Sequence, residues 1–477
     1  MIPKITLLAK ETGEENMVVL FDRNKKVKFP FLSNVEQKYV VARIENKQDI
    51  IRINQYKRHI FLLPVEHKES QSQTLEMCRL AGAKLQSVLQ QEKINFVYGW
   101  HWYDNKDELL AFAEGLVLAS YQFLKYKSKP EELQNRLKTI ALKHPLLKEE
   151  EVAELNVLLD AVYKARDLVN EPVSHLNAVQ LAAEMEKMGQ EAGFKVEVLH
   201  KARIEALRMG GILAVNKGSI DPPTFTIMEW KPDKARNKKP VVLVGKGVVY
   251  DTGGLSLKPT TDSMDYMKSD MSGAAVVTGT MYALACNKIP IHVIALVPAT
   301  DNRPGGNAYA PGDIITMYDK TRVEMLNSDA EGRMILADAL AYTKAYKPSL
   351  TITVATLTGS AARAIGKFGM VGMGTAPAKI RENLTLSSEK VYERIAWFPF
   401  WDEYSELLHS DIADIKNVGG TDAGAITGGK FLAHFAPHPF IHLDIAGVAW
   451  AKTTEGYRTS GGTGIGVRLL YDFLRNY

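Results

Sequence analysis

The stretch that decides the fold is Val241-Val-Leu-Val-Gly-Lys-Gly-Val-Val-Tyr-Asp-Thr-Gly-Gly254. It opens with four apolar, mostly β-branched residues, the pattern of a strand that is buried on both faces. Comparable runs occur at 291–297, 350–355 and 440–443, and helical patterns lie between the runs, notably at 273–286 and 332–345. This alternation predicts an α/β fold with a mixed, mostly parallel sheet covered by helices. In such sheets, chemistry gathers at the C-terminal ends of the strands.

The first third of the chain has a different pattern. Short runs rich in β-branched and aromatic residues predict strands at 18–21, 39–43, 60–64 and 95–99. Apolar residues at helical spacing predict helices at 70–91 and 107–126. A charged, helix-forming stretch then runs from 130 to about 169, with a break near Pro145. We therefore predict a smaller N-terminal α/β domain at 1–150, a linking helix at 151–170 and a larger α/β domain at 171–477.

The composition excludes several classes of protein. The 477 residues are 46% hydrophobic and 24% charged, as in ordinary globular proteins, and the only cysteines are Cys78 and Cys286. A disulfide framework is therefore excluded, and a cysteine-built zinc site nearly so. The net charge of +4 is too small to indicate a nucleic-acid-binding protein, and no apolar run approaches the roughly 18 residues of a membrane helix. We expect a soluble, cytoplasmic protein with no signal peptide.

Six charged residues stand where predicted strands end or predicted helices begin: Lys246, Asp251, Lys258, Asp270, Asp329 and Glu331. Any single acid in this set is explained as a helix-capping carboxylate, worth about 1 kcal/mol. Three acidic turns together with two lysines are not explained in that way. If the four carboxylates converge, repulsion and desolvation cost several kcal/mol unless cations bind between them. Lys246 and the four acids therefore predict a two-metal site, and their nitrogen and oxygen donors suit Zn²⁺, Mn²⁺ or Mg²⁺.

The segment Asn327-Ser-Asp-Ala-Glu-Gly-Arg-Met334 resembles the Asn-Thr-Asp-Ala-Glu-Gly-Arg-Leu signature of the leucyl aminopeptidase family, the cytosolic M17 peptidases. The Gly-Lys-Gly, Asp-x-Gly-Gly and Leu-Lys-Pro elements of 245–259 and the Met-Lys-x-Asp-Met element of 267–271 are similar to the same family. The resemblance covers residues 165–477 in the expected order and is much weaker before them. Three positions depart from the family pattern: Ser272 stands where relatives usually have glycine, Thr353 where many have aspartate, and Ala449 where some have methionine.

The resemblance implies a metal-dependent aminopeptidase that releases leucine-like N-terminal residues from peptides, with 171–477 as the catalytic domain and 1–150 in an assembly or regulatory role. It implies one metal ion, Zn²⁺ or Mn²⁺, on Asp251, Asp329 and Glu331, and a second on Lys246, Asp251, Asp270 and Glu331. Lys258 would stabilise the oxyanion, and Arg333 would hold a bicarbonate ion. The side-chain pocket would be lined by Met267, Thr356, Leu357, Gly359 and Ala446. Family members are hexamers, so we expect a homohexamer.

Two other functions stay open from the sequence. Some bacterial relatives also bind DNA as regulatory factors, and a relative without activity would act as a scaffold, although the intact ligand set argues against the scaffold. Other motifs favour structural interpretations. His434, His438 and His442 have helical spacing, but Pro437 and Pro439 break any helix there. The glycines after Val244 and around Lys367 lack the spacing of nucleotide-binding loops, and no serine sits in a nucleophile elbow.

Overall fold

The computed structural model describes residues 2–9 and 13–477, and the chain divides into two compact units. Unit 1 comprises Met1–Tyr163, Lys390–Tyr392 and Thr453–Ser460, and unit 2 comprises Lys164–Glu389, Glu393–Lys452 and Gly461–Tyr477. Both units combine sheets with helices, so the predicted α/β fold class is confirmed. Among the described residues, no helix is both long enough and apolar enough to cross a membrane.

Unit 1 contains a six-stranded sheet. Its strands are β1 (Lys4–Leu7), β2 (Met17–Asp22), β3 (Ile51–Asn54), β4 (His59–Val65), β5 (Phe96–His101) and β6 (Thr139–Lys143). They lie in the order β1-β6-β5-β2-β4-β3, and only the β3–β4 pair is antiparallel. The helices are α1 (Asn34–Glu45), α2 (Gln71–Gln91), α3 (Lys106–Ala119) and α4 (Pro130–Leu133), and α5 (Glu149–Asn170) carries the chain from unit 1 to unit 2.

Two sequence predictions for unit 1 are wrong. The strand predicted at 39–43 lies inside α1, which is started by a reciprocal capping box: Ser33 Oγ accepts from Glu36 N–H, and the Glu36 carboxylate accepts from Ser33 N–H. The stretch 130–169, predicted to be helical apart from a break near Pro145, contains strand β6. Ile140 and Leu142 of β6 are buried, and the strand pairs with β1 and β5 on its two sides, so long-range pairing overrides the local helical pattern.

A cluster of His67, His101 and Glu108 lies within unit 1, and each residue offers a ligand-capable atom within 4.8 Å of the others. Oε2 of Glu108 lies 3.1 Å from Nε2 of His67 and 3.0 Å from Nε2 of His101. The backbone N–H groups of Tyr103 and Asn105 donate to Nδ1 of His101. His101 therefore carries its proton on Nε2 and donates it to Glu108, which leaves no lone pair on Nε2 for a metal ion. The cluster is a hydrogen-bond network around a buried carboxylate.

Unit 2 is built on a nine-stranded sheet. Its strands are β7 (Lys195–His200), β8 (Thr224–Trp230), β9 (Val241–Gly245), β10 (Gly247–Asp251), β11 (Val293–Asn302), β14 (Leu350–Ala355), β15 (Met370–Gly374), β16 (Ile395–Trp397) and β18 (Phe440–Asp444). The main path is β16-β15-β18-β14-β9-β11-β8-β7, and β10 pairs with β11. Two small sheets consist of β12 (Asp313–Thr316), β13 (Arg322–Met325) and β17 (Ile415–Lys416), and of β19 (Trp450–Ala451) and β20 (Gly461–Gly462).

Ten further helices belong to this part of the chain. They are α6 (Ala178–Ala192), α7 (Lys201–Ala206), α8 (Gly210–Asn216), α9 (Ser272–Cys286), α10 (Glu331–Thr343), α11 (Gly359–Ile365), α12 (Ala378–Lys390), α13 (Glu403–Glu406), α14 (Gly424–Phe435) and α15 (Val467–Arg475). Three short 3₁₀ segments cover Met264–Met271, Lys344–Tyr346 and Gly366–Phe368. Helices α9 and α10 both pack against β9 and β11.

The four apolar runs predicted to be buried strands form β9, β11, β14 and β18, and every residue in these strands is buried. They lie side by side in the order β18-β14-β9-β11, and each neighbouring pair is parallel. Their C-terminal ends therefore meet at one edge of the sheet. This edge is where a parallel sheet binds its ligands.

Candidate metal centre

The C-terminal edge of the sheet supplies the six charged residues singled out in the sequence. Lys246 lies between β9 and β10, and Asp251 is the last residue of β10. Asp270 is in the 3₁₀ segment Met264–Met271, directly ahead of α9. Glu331 is the first residue of α10, with Asp329 just before that helix. Ion pairs join Lys246 to Asp270 and Glu331, and Lys258 to Asp251 and Asp329. The close spacing of the Asp251, Asp329 and Glu331 oxygens brings the two groups together in one cluster.

Lys246 occupies the centre of one half of the cluster. Its Nζ lies 2.7 Å from Oδ2 of Asp270 and 2.8 Å from Oε1 of Glu331, and it donates to the carbonyl oxygen of Thr356 at 2.9 Å. The lysine side chain is only 3% exposed. Gly332 makes this position accessible, because a Cβ atom at Gly332 would lie 2.5 Å from Cε of Lys246. The glycine is therefore required for the lysine to pass so close to the start of α10.

Lys258 pairs with the other two acids of the cluster, Asp251 and Asp329. Its Nζ lies 2.9 Å from Oδ2 of Asp251 and forms an ion pair with Oδ1 of Asp329. Asp251, Asp329 and Glu331 each offer a carboxylate oxygen within 4.8 Å of the other two, a spacing that suits a shared metal ion. The side chain of Asp251 is fixed in position, because its Oδ1 accepts hydrogen bonds from the backbone N–H of Gly253 and from Nδ2 of Asn302.

Burial dominates the electrostatics of the four acids. It raises the pKa of Asp329 to about 7, with Asp251 and Glu331 adding repulsion and Lys258 opposing the change. Burial also raises the pKa of Asp251 and of Asp270 above the usual range for aspartate. It acts upward on Glu331 as well, but the neighbouring Lys246 and Lys258 outweigh it and leave the pKa of that carboxyl below its usual value. Only Glu331 is thus strongly held in its charged form by this chain alone.

The donor set fits divalent cations. Four carboxylates face two lysines, so positive charge is missing from the cluster when all the acids are ionised. Oε2 of Glu331 is buried and accepts no hydrogen bond from any residue that the structure describes. A buried carboxylate oxygen without a partner is costly, and a bound cation would remove that cost. The oxygen ligands and the single amine are the hard donors that Mg²⁺, Mn²⁺ and Zn²⁺ accept.

Arg333 lies one turn into α10 and is buried. Its Nη1 donates to the carbonyl oxygen of Asn417 at 2.6 Å, whereas its Nε is buried and has no hydrogen-bond partner among the described residues. Burial lowers the pKa of Arg333 to about 10, with Glu331 and Asp444 acting in the opposite direction. The guanidinium therefore retains an unused donor, as expected for a group that binds an anion.

Of the predicted pocket residues, Thr356 contacts the cluster directly. Thr356 Oγ1 donates to Oδ1 of Asp270 at 2.7 Å. The backbone N–H groups of Leu357 and Ala446 both donate to Oδ1 of Asp444, and Gly359 is the first residue of α11. Met267 lies in the same 3₁₀ segment as Asp270.

Two residues of the site, Asn302 and Asp444, were not predicted from the sequence. Asn302 ends β11, and its Nδ2 donates to Asp251 and to the carbonyl oxygen of Ser328, so it links two of the acidic loops. Asp444 ends β18 and accepts hydrogen bonds from Leu357, Thr358 and Ala446. Burial raises the pKa of Asp444 to about 6. Each of the two is the last residue of a buried parallel strand, and that position was the available signal.

The three spaced histidines form no ligand group in the part of the chain that the structure describes. His442 is a buried residue of β18, and its Nδ1 lies 2.8 Å from Oγ1 of Thr353. Burial and Arg333 together lower its pKa to about 3. His438 pairs with Thr375, and His434 lies in α14. Thr353, one of the departures from the family pattern, thus serves as a partner for His442.

Comparisons with known proteins show the family that the chain resembles. The model of the cytosol aminopeptidase family, catalytic domain, matches residues 163–471. A probable cytosol aminopeptidase of Chlorobaculum tepidum is 50% identical over 318 residues, which are 66% of this chain and 62% of that protein. A probable cytosol aminopeptidase of Chlorobium phaeobacteroides is 43% identical over 379 residues, 77% of this chain and 75% of that protein. This chain thus spans about 62% of the length of the Chlorobaculum tepidum relative.

The fold has solved counterparts. The bottromycin maturation enzyme BotP, in complex with Mn, matches with a TM-score of 0.85 and 27% sequence identity, and the match covers 97% of this chain and 99% of that one. A second structure of the same enzyme matches with a TM-score of 0.84. The family match includes every residue of the acidic cluster, together with Arg333 and the predicted pocket. The chain belongs to the cytosol aminopeptidase family.

Proposed function

We propose that this protein is a metal-dependent aminopeptidase, which hydrolyses the first peptide bond of a peptide with a free N-terminus. The observation that carries the proposal is the largely buried cluster of four carboxylates and two lysines at the C-terminal edge of the sheet. The names of the curated relatives, probable cytosol aminopeptidases, support the same activity. So does the Mn-bound state of the structural relative BotP.

Two divalent ions, Zn²⁺ or Mn²⁺, fit the cluster. Asp251, Asp329 and Glu331 would hold one ion, which agrees with the close spacing of their oxygens. Lys246, Asp251, Asp270 and Glu331 would hold the other. Ions in such a site polarise a carbonyl group and lower the pKa of water towards neutrality. Lys246 must lose its proton to donate a lone pair, although Asp270 and Glu331 outweigh burial and raise its pKa here.

Lys258 would stabilise the negative charge that develops on the carbonyl oxygen. Burial lowers the pKa of its amine, but Asp251, Glu331 and Asp329 raise it by more, so Lys258 stays protonated. Its side chain is 15% exposed and is therefore accessible to a substrate. A preorganised cation at this point interacts more strongly with the transition state, in which the oxygen is negatively charged, than with the ground state. Such a difference in binding is the condition for catalysis.

Arg333 would hold a bicarbonate ion that moves a proton during the reaction. Its buried Nε lacks a partner among the described residues, and its planar guanidinium suits a bidentate anion. Asn417 fixes the opposite side of the group through Nη1, so the remaining donors keep one orientation.

The specificity for an N-terminus follows from the free amine. A bound ion would offer a position for the free amine of an N-terminus, and an internal peptide bond has no such amine. Met267, Thr356, Leu357, Gly359 and Ala446 would line the pocket for the first side chain, and their small or apolar character suits leucine-like residues. The predicted homohexamer rests on the family resemblance, and light scattering of the purified 53.0 kDa chain tests it.

The experiment that tests the function is hydrolysis of a panel of amino-acid amides by metal-free protein and by protein resupplied with Zn²⁺ or Mn²⁺. We expect turnover only after a metal is restored, with Leu-NH₂ among the best substrates. An N-acetylated leucine amide should not be hydrolysed, because its amine is blocked. Full activity in a verified metal-free preparation, or equal cleavage of the acetylated amide, would contradict the proposal.

A further inference from the structure

Helix α11 connects the catalytic edge of the sheet to a separate cavity. It begins at Gly359, three residues after Thr356, whose carbonyl oxygen accepts a hydrogen bond from Lys246. A cavity of about 400 Å³ lies beside the helix, bounded by Ser360 and Arg363 on one side and by the first turn of α14 on the other. The two helices approach closely, since a Cβ atom at Gly424 would lie 2.6 Å from Oγ of Ser360.

Arg363 carries an unused charge on the wall of this cavity. Its side chain is exposed and forms no ion pair with any described residue, and the single hydrogen bond that the structure gives it is a long one of 3.5 Å from Nη2 to Oγ of Ser360. A Cβ atom at Gly359 would lie 3.1 Å from Nη1 of Arg363. The guanidinium therefore folds back over Gly359, towards the end of strand β14 and the metal cluster.

No other charged residue that the structure describes lines this cavity. Of the nine residues that line the cavity, Arg363 is the only charged one, and the others are small, apolar or hydroxyl-bearing residues such as Ala364, Phe398 and Ile426. Arg363 is thus the charged group through which this cavity would attract a carboxylate of a substrate.

We propose that Arg363 binds a carboxylate of the peptide substrate and so selects substrates by charge near the cleaved bond. This inference rests on the proposed aminopeptidase function. The carboxylate is either the free C-terminus of a short peptide or an acidic side chain that follows the cleaved bond. The planar guanidinium binds both groups through two parallel hydrogen bonds. Nη1 of Arg363 would lie 3.1 Å from a Cβ atom at Gly359, which we assign to the substrate pocket, so the guanidinium lies beside residues that would bind the peptide.

The test compares pairs of substrates that differ only in charge. Leu-Gly against Leu-Gly-NH₂ probes the C-terminal carboxylate, and Leu-Asp-NH₂ against Leu-Asn-NH₂ probes an acidic side chain. In at least one pair we expect kcat/KM of the metal-loaded enzyme to be about three- to tenfold higher for the charged member, the range of a partly exposed, two-pronged ion pair. The preference should fall as NaCl is raised from 0.05 to 0.5 M, roughly a threefold shortening of the Debye length.

Variants assign the preference to one residue. Arg363→Gln should abolish it, Arg363→Lys should retain part of it, and hydrolysis of Leu-NH₂ should change little in either, because that substrate has no carboxylate. Lys379→Gln removes the same charge from an exposed position of α12 and should leave the preference intact. If the wild type shows no preference, or if Arg363→Gln keeps it, the inference is wrong and the aminopeptidase proposal stands. If Leu-NH₂ is not hydrolysed at all by the metal-loaded wild type, the proposed function fails and the inference fails with it.

Discussion

Nζ of Lys246 lies 2.8 Å from Oε1 of Glu331, and both side chains are almost completely buried, at 3% and 1% exposure. The two residues are 85 positions apart in the sequence. Lys246 directly follows strand β9, and Glu331 is the first residue of helix α10. Gly332 allows this contact, since any larger residue would collide with the lysine stem. The contact therefore depends on three residues at once, and each of them can be tested separately.

Gly332→Ala should separate metal binding from stability. The new methyl group would lie 2.5 Å from Cε and 2.7 Å from Nζ of Lys246, so the lysine must move away from Asp270 and Glu331. The substitution also replaces glycine by a better helix former, which offsets strain by up to about 1 kcal/mol. We expect a melting temperature close to that of the wild type but a large loss of metal affinity in calorimetric titrations. Gly306→Ala is the matched control, because no atom lies within 4 Å of its Cβ position. Wild-type metal affinity in Gly332→Ala would contradict the importance of the Lys246 position.

Lys258 and Glu331 should differ in what they contribute. Lys258→Ala should lower kcat by roughly 10²–10³-fold, the effect of one lost oxyanion donor, and should keep the metal content near that of the wild type. Glu331→Gln should instead lose metal, because it removes a negative charge that we assign to both ions. Elemental analysis of the two purified variants, measured together with kcat, decides between the roles. If Lys258→Ala loses its metals while Glu331→Gln keeps both, the roles are reversed.

Metal binding should strengthen as the pH rises from 6 to 8. Metal ligands must be deprotonated, and burial, reinforced by Asp251 and Glu331, raises the pKa of Asp329 to about 7. Lys246 must also release a proton, since its acidic neighbours raise its pKa in spite of burial. Calorimetric titration with Mn²⁺ in two buffers of different ionisation enthalpy measures the protons released. We expect at least one proton per protein at pH 6, and no release at any pH would show that these groups are not ligands.

The carboxylate of Glu108 should stabilise unit 1 in a pH-dependent way. Burial raises its pKa, but hydrogen bonds from His101 and His67 outweigh burial, so the pKa of folded Glu108 lies below the ordinary 4.5. A lowered pKa in the folded state means stabilisation that is present above pH 4.5 and is lost as the pH falls through the folded value.

Glu108→Gln should therefore lower the free energy of unfolding at pH 7 by about 1–3 kcal/mol, and the difference from the wild type should shrink below pH 4. Hydrogen–deuterium exchange of residues 96–119 measures the effect in unit 1. Glu131→Gln, at an exposed position of α4, is the control and should change exchange little at either pH. An equal effect of Glu108→Gln at pH 7 and below pH 4 would mean that its charge is not the cause.

Local sequence patterns determined much of the fold of unit 2. Apolar β-branched runs such as 241–244 and 350–355 form buried parallel strands, because both faces of a parallel sheet are covered and the apolar side chains are thereby removed from water. The same patterns failed in unit 1. The run 39–43 became part of α1, since the capping box at Ser33 favours a helix and only Val40 of that helix is buried. Strand β6 was missed because its pairing with β1 and β5 involves residues far away in the chain.

The sequence by itself determined the chemical types at the site: hard oxygen donors, two lysines, glycines beside them, and no cysteine among them. Only the tertiary structure decided which of these groups meet. The contact of Lys246 with Asp270 and Glu331 and the support of Asp251 by Asn302 both depend on how parallel strands and their loops are aligned. A sequence pattern reports the environment that a residue needs. Distances between residues tens of positions apart are set by the packing of the whole sheet, because hydrogen-bond register and helix contacts are long-range interactions that no local pattern encodes.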